Sequence, residues 1–141
     1  MHVSTILKTK GSSVFTISPE ATLADAAKTM VEDKCGSLVV LQDGDVVGII
    51  TERDILRACA NEPQHLSEIS VADHMTRKVI VGAPSDELNE IMGLMTEERI
   101  RHLPILEDGK LAGIISIGDV VKAQFGQLSV ENQYLKHYIQ S

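Results

Sequence analysis

Aromatic side chains are scarce in this chain: it has no tryptophan, two phenylalanines and two tyrosines. Its core must therefore be packed by valine, isoleucine, leucine and methionine, and a hydrophobic content of 43% is enough to build one. Positive charge is also in short supply. Thirteen Lys and Arg face 20 Asp and Glu, for a net charge of −7. That balance excludes generic binding to nucleic acid or to an anionic membrane surface, both of which need a basic field. No apolar run approaches a membrane span, and the opening residues MHVSTILKTKGSS lack the apolar stretch of a secretion signal. Cys35 and Cys59 are isolated in apolar, helix-like surroundings, so they are expected to be reduced and buried. A cytoplasmic protein is the expectation.

The usual signatures of catalysis are missing too. His2, His65, His74, His102 and His137 show no metal-ligand spacing with one another or with the cysteines. There is no phosphate-binding Walker loop, no Gly-x-Gly-x-x-Gly, and no nucleophile beside a recognisable base. Asp43 and Asp45 bracket a glycine without the remaining ligands of a calcium loop. The sequence predicts no enzyme and no required metal.

What the chain has is repetition. Val14–Leu56 aligns without a gap on Val79–Val121 at an offset of 65 residues, with 13 identities in 43 pairs. Pro19/Pro84, Gly44/Gly109, Gly48/Gly113 and Asp54/Asp119 are among them. A unit of that size buries too little surface to stand securely alone, so the halves are expected to share a core. Two copies of one unit usually pack about a pseudo-two-fold axis, and a site on one should have a twin on the other.

Within each unit the hydrophobic period changes in a fixed order. Leu23, Ala26, Ala27, Met30 and Val31 recur at helical spacing after a Thr22/Asp25 capping pair. Aliphatic runs at 37–41 and 46–50 flank Asp43-Gly44, a hairpin signal, and a second helix begins near Thr51 with Ile55, Leu56 and Cys59 inward. The second unit has its first helix over 87–98, a turn at Asp108-Gly109 and a last helix from Ser116. With leading strands at 14–17 and 79–81, the expectation is an α/β (α+β) fold of two β-α-β-β-α repeats. The predicted organisation is repeat 1 over 1–60, a linker over 61–70, repeat 2 over 71–125 and a helical tail over 126–141. The short segments at 3–7 and 71–75 precede the two units similarly, with Gly11-Ser12-Ser13 inserted in the first. The tail helix is read over 127–140, with Leu128, Leu135 and Ile139 on its apolar side.

The strand-to-helix junction carries the chemistry. It reads Gly48-Ile-Ile-Thr51-Glu-Arg-Asp54 and, again, Gly113-Ile-Ile-Ser116-Ile-Gly-Asp119. Unpaired amides at a helix start favour an anion such as phosphate, and a Thr or Ser hydroxyl adds one hydrogen bond. An ionised aspartate accepts only, which suits the two hydroxyls of a ribose. The same four residues also fit plain capping boxes that serve nothing but the helix. A ligand-free adaptor, whose purpose is protein association, is the corresponding alternative function.

Taken together, the gapless repeat, the two Asp-Gly turns and the doubled Gly-h-h-(Thr/Ser)-x-x-Asp junction resemble a tandem pair of cystathionine β-synthase (CBS) domains, the Bateman module. Asp73-His-Met-Thr76 and Arg101-His-Leu-Pro104 are similar to phrases of that family, and the likeness spans roughly residues 1–125. The resemblance implies a non-enzymatic regulator. It would bind AMP, ADP, ATP, NAD(H) or S-adenosylmethionine in clefts between the repeats, AMP first among them, and signal through a dimer to an unidentified effector protein. It implies ribose and phosphate contacts at Thr51, Asp54, Ser116 and Asp119, and base pockets lined by Thr16, Ile17, Val81 and Gly82. Arg53, Arg101 and His102 are the cations expected against phosphate charge. The first repeat has Gly36-Ser37 where the second has Arg101-His102, so the clefts are not expected to be equivalent. Ile91, Met92, Leu94 and Met95 widen the apolar arc of helix 87–98, and with Gly93 they are read as a subunit interface, the alternative being a thicker core contact.

Overall fold

The computed structural model describes residues 1–11 and 13–140. Ser12 and the side chains of Leu128, His137 and Ile139 lie outside the described residues. The elements are α1 (Val3–Lys10), β1 (Thr16–Ile17), α2 (Leu23–Asp33), β2 (Ser37–Gln42), β3 (Asp45–Thr51) and α3 (Glu52–Asn61). A short 3₁₀ turn over Leu66–Glu68 follows, then α4 (Val71–His74), α5 (Leu88–Glu98), β4 (His102–Glu107), β5 (Lys110–Ser116) and α6 (Ile117–Gln140). The helix begun at the second junction and the predicted tail helix are thus one continuous element.

Both hairpins form where the sequence placed them. Asp43 and Gly44 have φ of 52° and 85°, Asp108 and Gly109 of 52° and 77°. Positive φ at both central residues is what a two-residue type I′ turn requires. Each hairpin carries a register shift at the same place, between Val40 and Leu41 and between Ile105 and Leu106. Lys34 and Arg99, another aligned pair, both end their helices in the left-handed conformation.

The leading strands differ, and one residue accounts for it. β1 pairs in parallel with β2, and the amide of Val39 donates to the carbonyl of Phe15 at 3.2 Å. The residue aligned with Val39 is Pro104, which has no N–H to give. The segment at 79–81 therefore forms no strand, and only Gly82 pairs with β4, at Ile105.

Instead of one shared core, the buried residues fall into two clusters that exchange segments. Leu23, Met30, Leu38, Val40 and Ile50 of the first repeat pack with Ile69, Val71 and Met75, which precede the second. Leu88, Ile91, Met95, Leu103, Ile105 and Ile115 pack with Val3 and Ile6, which precede the first. Two glycines make the crossings possible. A Cβ on Gly48 would lie 2.6 Å from the Met75 sulfur and 3.0 Å from the Thr76 carbonyl oxygen; one on Gly113 would lie 2.6 Å from a Leu7 methyl. The crossing segments lie in the space those side chains would fill.

Three expectations about apolar faces fail. Val31 and Leu56 are 78% and 70% exposed, and Cys59 is exposed rather than buried. Helical spacing selects a face, but α2 and α3 are covered on a narrower arc than their apolar stripes. In α5, by contrast, Ile91 and Met95 are core, and Met92 and Leu94 pack against it. Its extra apolar width is thus largely spent inside the protomer, and a Cβ on Gly93 would meet nothing within 4 Å.

Candidate functional site

Each junction motif closes a capping box. Thr51, the N-cap of α3, accepts from the Asp54 amide at 3.3 Å, while Asp54 Oδ2 accepts from the Thr51 amide at 2.9 Å. At the start of α6, Ser116 Oγ accepts from the Asp119 amide at 3.1 Å and Asp119 Oδ2 from the Ser116 amide at 2.9 Å. The capping role is therefore real in both copies. It uses one carboxylate oxygen only. Among the described residues, neither Asp54 Oδ1 nor Asp119 Oδ1 has a hydrogen-bond partner, and no fully buried side-chain oxygen is unsatisfied. Each aspartate can cap its helix through Oδ2 and still accept from an outside hydroxyl through Oδ1.

Asp54 is buried, at 8% exposure, and carries only bonds from its own cap, including one from the Thr51 hydroxyl at 3.0 Å. Asp119 has a further partner. Lys10 Nζ, on α1, donates to Asp119 Oδ2 at 2.5 Å and to the Ile114 carbonyl at 2.7 Å. Burial alone would raise the Asp119 pKa. The Lys10 hydrogen bond and those from Ser116 outweigh it and hold the carboxyl below its ordinary value. Lys10 reaches this position because α1 crosses to the second repeat.

The other expected contacts are distributed unevenly. Thr16 is exposed and Ile17 half-buried on β1; Thr16 pairs with Val39 and Thr51 with Ser37, two strand spacings across the sheet and two residues along it, about 12 Å in all. Arg53 is exposed at the first turn of α3, and no carboxylate pairs with it among the described residues. Val81 is 39% exposed. Gly82 is buried, and a Cβ there would come within 3.0–3.2 Å of Leu103, Ile105 and Ile91, so core packing already requires this glycine.

Arg101 is exposed, whereas His102 is half-buried at the seam between repeats. Burial pushes the His102 pKa down and Lys10 adds to this, against the opposing pull of Glu52 and Asp119. The balance holds the His102 imidazole below its ordinary value. Glu52 borders the same seam: a Cβ on Gly36 would lie 2.7 Å from its carboxylate and 3.7 Å from the His102 ring.

A cavity of about 1100 Å³ opens beside Asp119, lined by Lys10, Lys122, Thr9, Ile6, Ala123 and Leu135 among others. A second, of about 510 Å³, lies between α2 and α3 at Met30, Val31, Cys35, Glu52 and Ile55. Lys10 and Glu52 were missed by sequence reasoning. The aligned presegments hinted at a paired role for α1, but nothing local to Lys10 announced a contact 109 residues away. Among the described residues no cluster of His, Cys, Asp and Glu is placed to hold a metal ion, and no helix is long and apolar enough to cross a membrane.

Comparison with known proteins agrees with this architecture. The family model described as CBS domain matches residues 3–61 and 70–126. A CBS domain-containing protein of Arabidopsis thaliana, CBSX3, described as mitochondrial, is 37% identical over 147 residues, covering 98% of this chain and 71% of its own. The crystal structure of the CBS-domain protein ATU1752 from Agrobacterium tumefaciens superposes with a TM-score of 0.85 at 42% identity, over 88% of this chain and 99% of that one. The CBS domain pair of protein MJ0100, solved with 5′-methylthioadenosine and S-adenosylmethionine, matches at TM-score 0.81 and 24% identity, over 90% and 98% of the two chains.

Proposed function

This chain belongs to the CBS-domain family, and from that premise we propose that it is a non-enzymatic regulator binding an adenosine compound in one or both clefts at the junction motifs. The observation that carries the reading is the pair of half-used carboxylates. Asp54 and Asp119 each sit at a helix start with Oδ2 spent on the cap and Oδ1 without a partner. A ribose presents two donors to such an oxygen, and the helix amides favour a neighbouring phosphate. That the MJ0100 domain pair was solved with two adenosine compounds supports the ligand class. AMP is the first candidate, with ADP, ATP, NAD(H) and S-adenosylmethionine behind it. The completed capping boxes favour a second reading, a ligand-free adaptor.

The two readings separate on one experiment. A ligand that binds only the folded state raises the melting temperature by mass action, by about 2.7 kcal/mol of stability at a hundredfold excess over Kd. Thermal melts with millimolar AMP, ATP, NAD or S-adenosylmethionine should show a rise of several degrees with at least one. Flat melts with all of them would leave the adaptor.

In this reading the ligand acts by favouring one arrangement of the two repeats, to which a partner protein responds. The active unit is a homodimer in the cytoplasm, where the unpaired Cys35 and Cys59 stay reduced. Its interface lies on the exposed apolar residues of α2, α3 and α6 rather than on α5. Leu56 and Val121, an aligned pair, are 70% and 57% exposed, and Val31 on α2 is 78% exposed. Leu56→Lys should convert the dimer to monomer in sedimentation analysis with little change in melting temperature; an unchanged dimer would place the interface elsewhere.

A further inference from the structure

The two clefts are not chemically equivalent, and the difference lies in which donors remain free. At the first junction the Thr51 hydroxyl spends its proton on Asp54 Oδ2, at 3.0 Å. At the second, Oδ2 is occupied by Lys10 and the Ser116 amide, and Ser116 Oγ makes no corresponding donation. Its O–H is available. Lys10 has three N–H donors and uses two, on Asp119 and the Ile114 carbonyl. The third remains, on a side chain 30% exposed that lines the large cavity with Lys122.

The first turn of α6 is also bare. A Cβ on Gly118 would meet nothing within 4 Å except Ser116 Oγ at 3.6 Å, whereas the aligned position in α3 holds Arg53. Lys78, which aligns with Lys10 in the crossing segments, forms no ion pair among the described residues, so Asp54 has no such ammonium. One cleft thus presents a carboxylate engaged only by its own cap, with the Arg53 guanidinium exposed at the same helix turn and no ammonium on the carboxylate. The other presents a carboxylate, an ammonium with one free N–H, and a hydroxyl with a free proton.

Resting on the adenosine-compound reading above, we propose that Lys10 makes the Asp119 cleft selective for an adenosine ligand with an anionic phosphate at its 5′ end. Asp119 Oδ1 takes the ribose hydroxyls while the spare N–H of Lys10 and the Ser116 hydroxyl take the phosphate oxygens. A charge-assisted hydrogen bond of this kind contributes more than a neutral one, and it is lost when the ligand lacks the phosphate. Lys10 is in this sense a specificity residue supplied by the helix that crosses from the N-terminal segment.

The test compares AMP with adenosine by titration calorimetry on the Asp54→Ala chain, in which the second cleft retains its own aspartate. AMP should bind at least tenfold more tightly than adenosine. Lys10→Gln should erase that preference, weakening AMP at least tenfold while adenosine is unchanged, and Lys10→Arg should restore part of it. Equal weakening of both ligands by Lys10→Gln, or no effect on either, overturns the assignment. Melting curves of each variant separate these outcomes from loss of fold. Binding of S-adenosylmethionine without AMP also overturns it and leaves the broader reading standing. Saturable binding of no adenosine compound by the unsubstituted protein overturns both.

Discussion

Replacing Ile6 with alanine is expected to loosen the second repeat, although Ile6 lies just ahead of the first. Ile6 is 7% exposed and packs with Val3, Leu88, Ile91 and Met95. Truncating a buried isoleucine to alanine costs about 2–5 kcal/mol, from lost transfer energy and the cavity left behind. Against the 5–15 kcal/mol that holds a domain together, that is a large share. The whole-chain denaturant midpoint should fall accordingly. The location of the damage is the sharper prediction: amide exchange should quicken in α5, β4 and β5 before it quickens in α2 and β2. Met75→Ala, on the opposite crossing, should show the reverse order. Faster exchange in the first repeat for Ile6→Ala would mean that the segments do not cross.

The second large effect concerns ligand affinity. Asp54→Ala and Asp119→Ala each remove the carboxylate proposed to hold a ribose, and a hydrogen bond to a charged group contributes about 1.5–3 kcal/mol. Loss of one should therefore weaken binding at its own cleft by at least tenfold and leave the other cleft in place. Each substitution also removes half of a capping box, at about 1 kcal/mol of stability. The two consequences are separable, because melting in the absence of ligand reads the cap alone. In the Asp119→Ala chain Lys10 loses its carboxylate partner and keeps the Ile114 carbonyl. Its ammonium is then less fixed, so residual binding of a phosphate-bearing ligand should fall steeply with added salt.

The parts of this molecule that were readable from sequence are those set by local chemistry. Asp-Gly dictates its turn because both residues tolerate positive φ, and the helices over 23–33 and 88–98 follow from apolar spacing. The Thr-x-x-Asp and Ser-x-x-Asp boxes close as their spacing demands. Features decided by distant neighbours were not readable. Nothing in Val3 or Ile6 says which repeat they will join, since either core offers a similar aliphatic surface. The absent second leading strand depends on Pro104, whose missing N–H matters only once its neighbour across the sheet is known. Val31 and Leu56 fit an inward stripe yet remain exposed, because periodicity does not report how much of a helix is covered. For the same reason the cation near the second motif was sought next door, at Arg101 and His102. The structure also brings in Lys10 from α1, and burial lowers the His102 pKa.

The repeat builds two matching Thr/Ser-x-x-Asp junctions, the proposed ligand anchors, and the crossing of α1 brings Lys10 to the second alone. The most direct test of the anchors is titration calorimetry of the unsubstituted protein with AMP and with S-adenosylmethionine, repeated on the Asp54→Ala/Asp119→Ala double variant. The account predicts saturable heat with at least one ligand, at no more than two molecules per chain, and its disappearance in a double variant that still melts cooperatively. Saturable heat that persists undiminished in the double variant would place the ligand elsewhere and contradict the account.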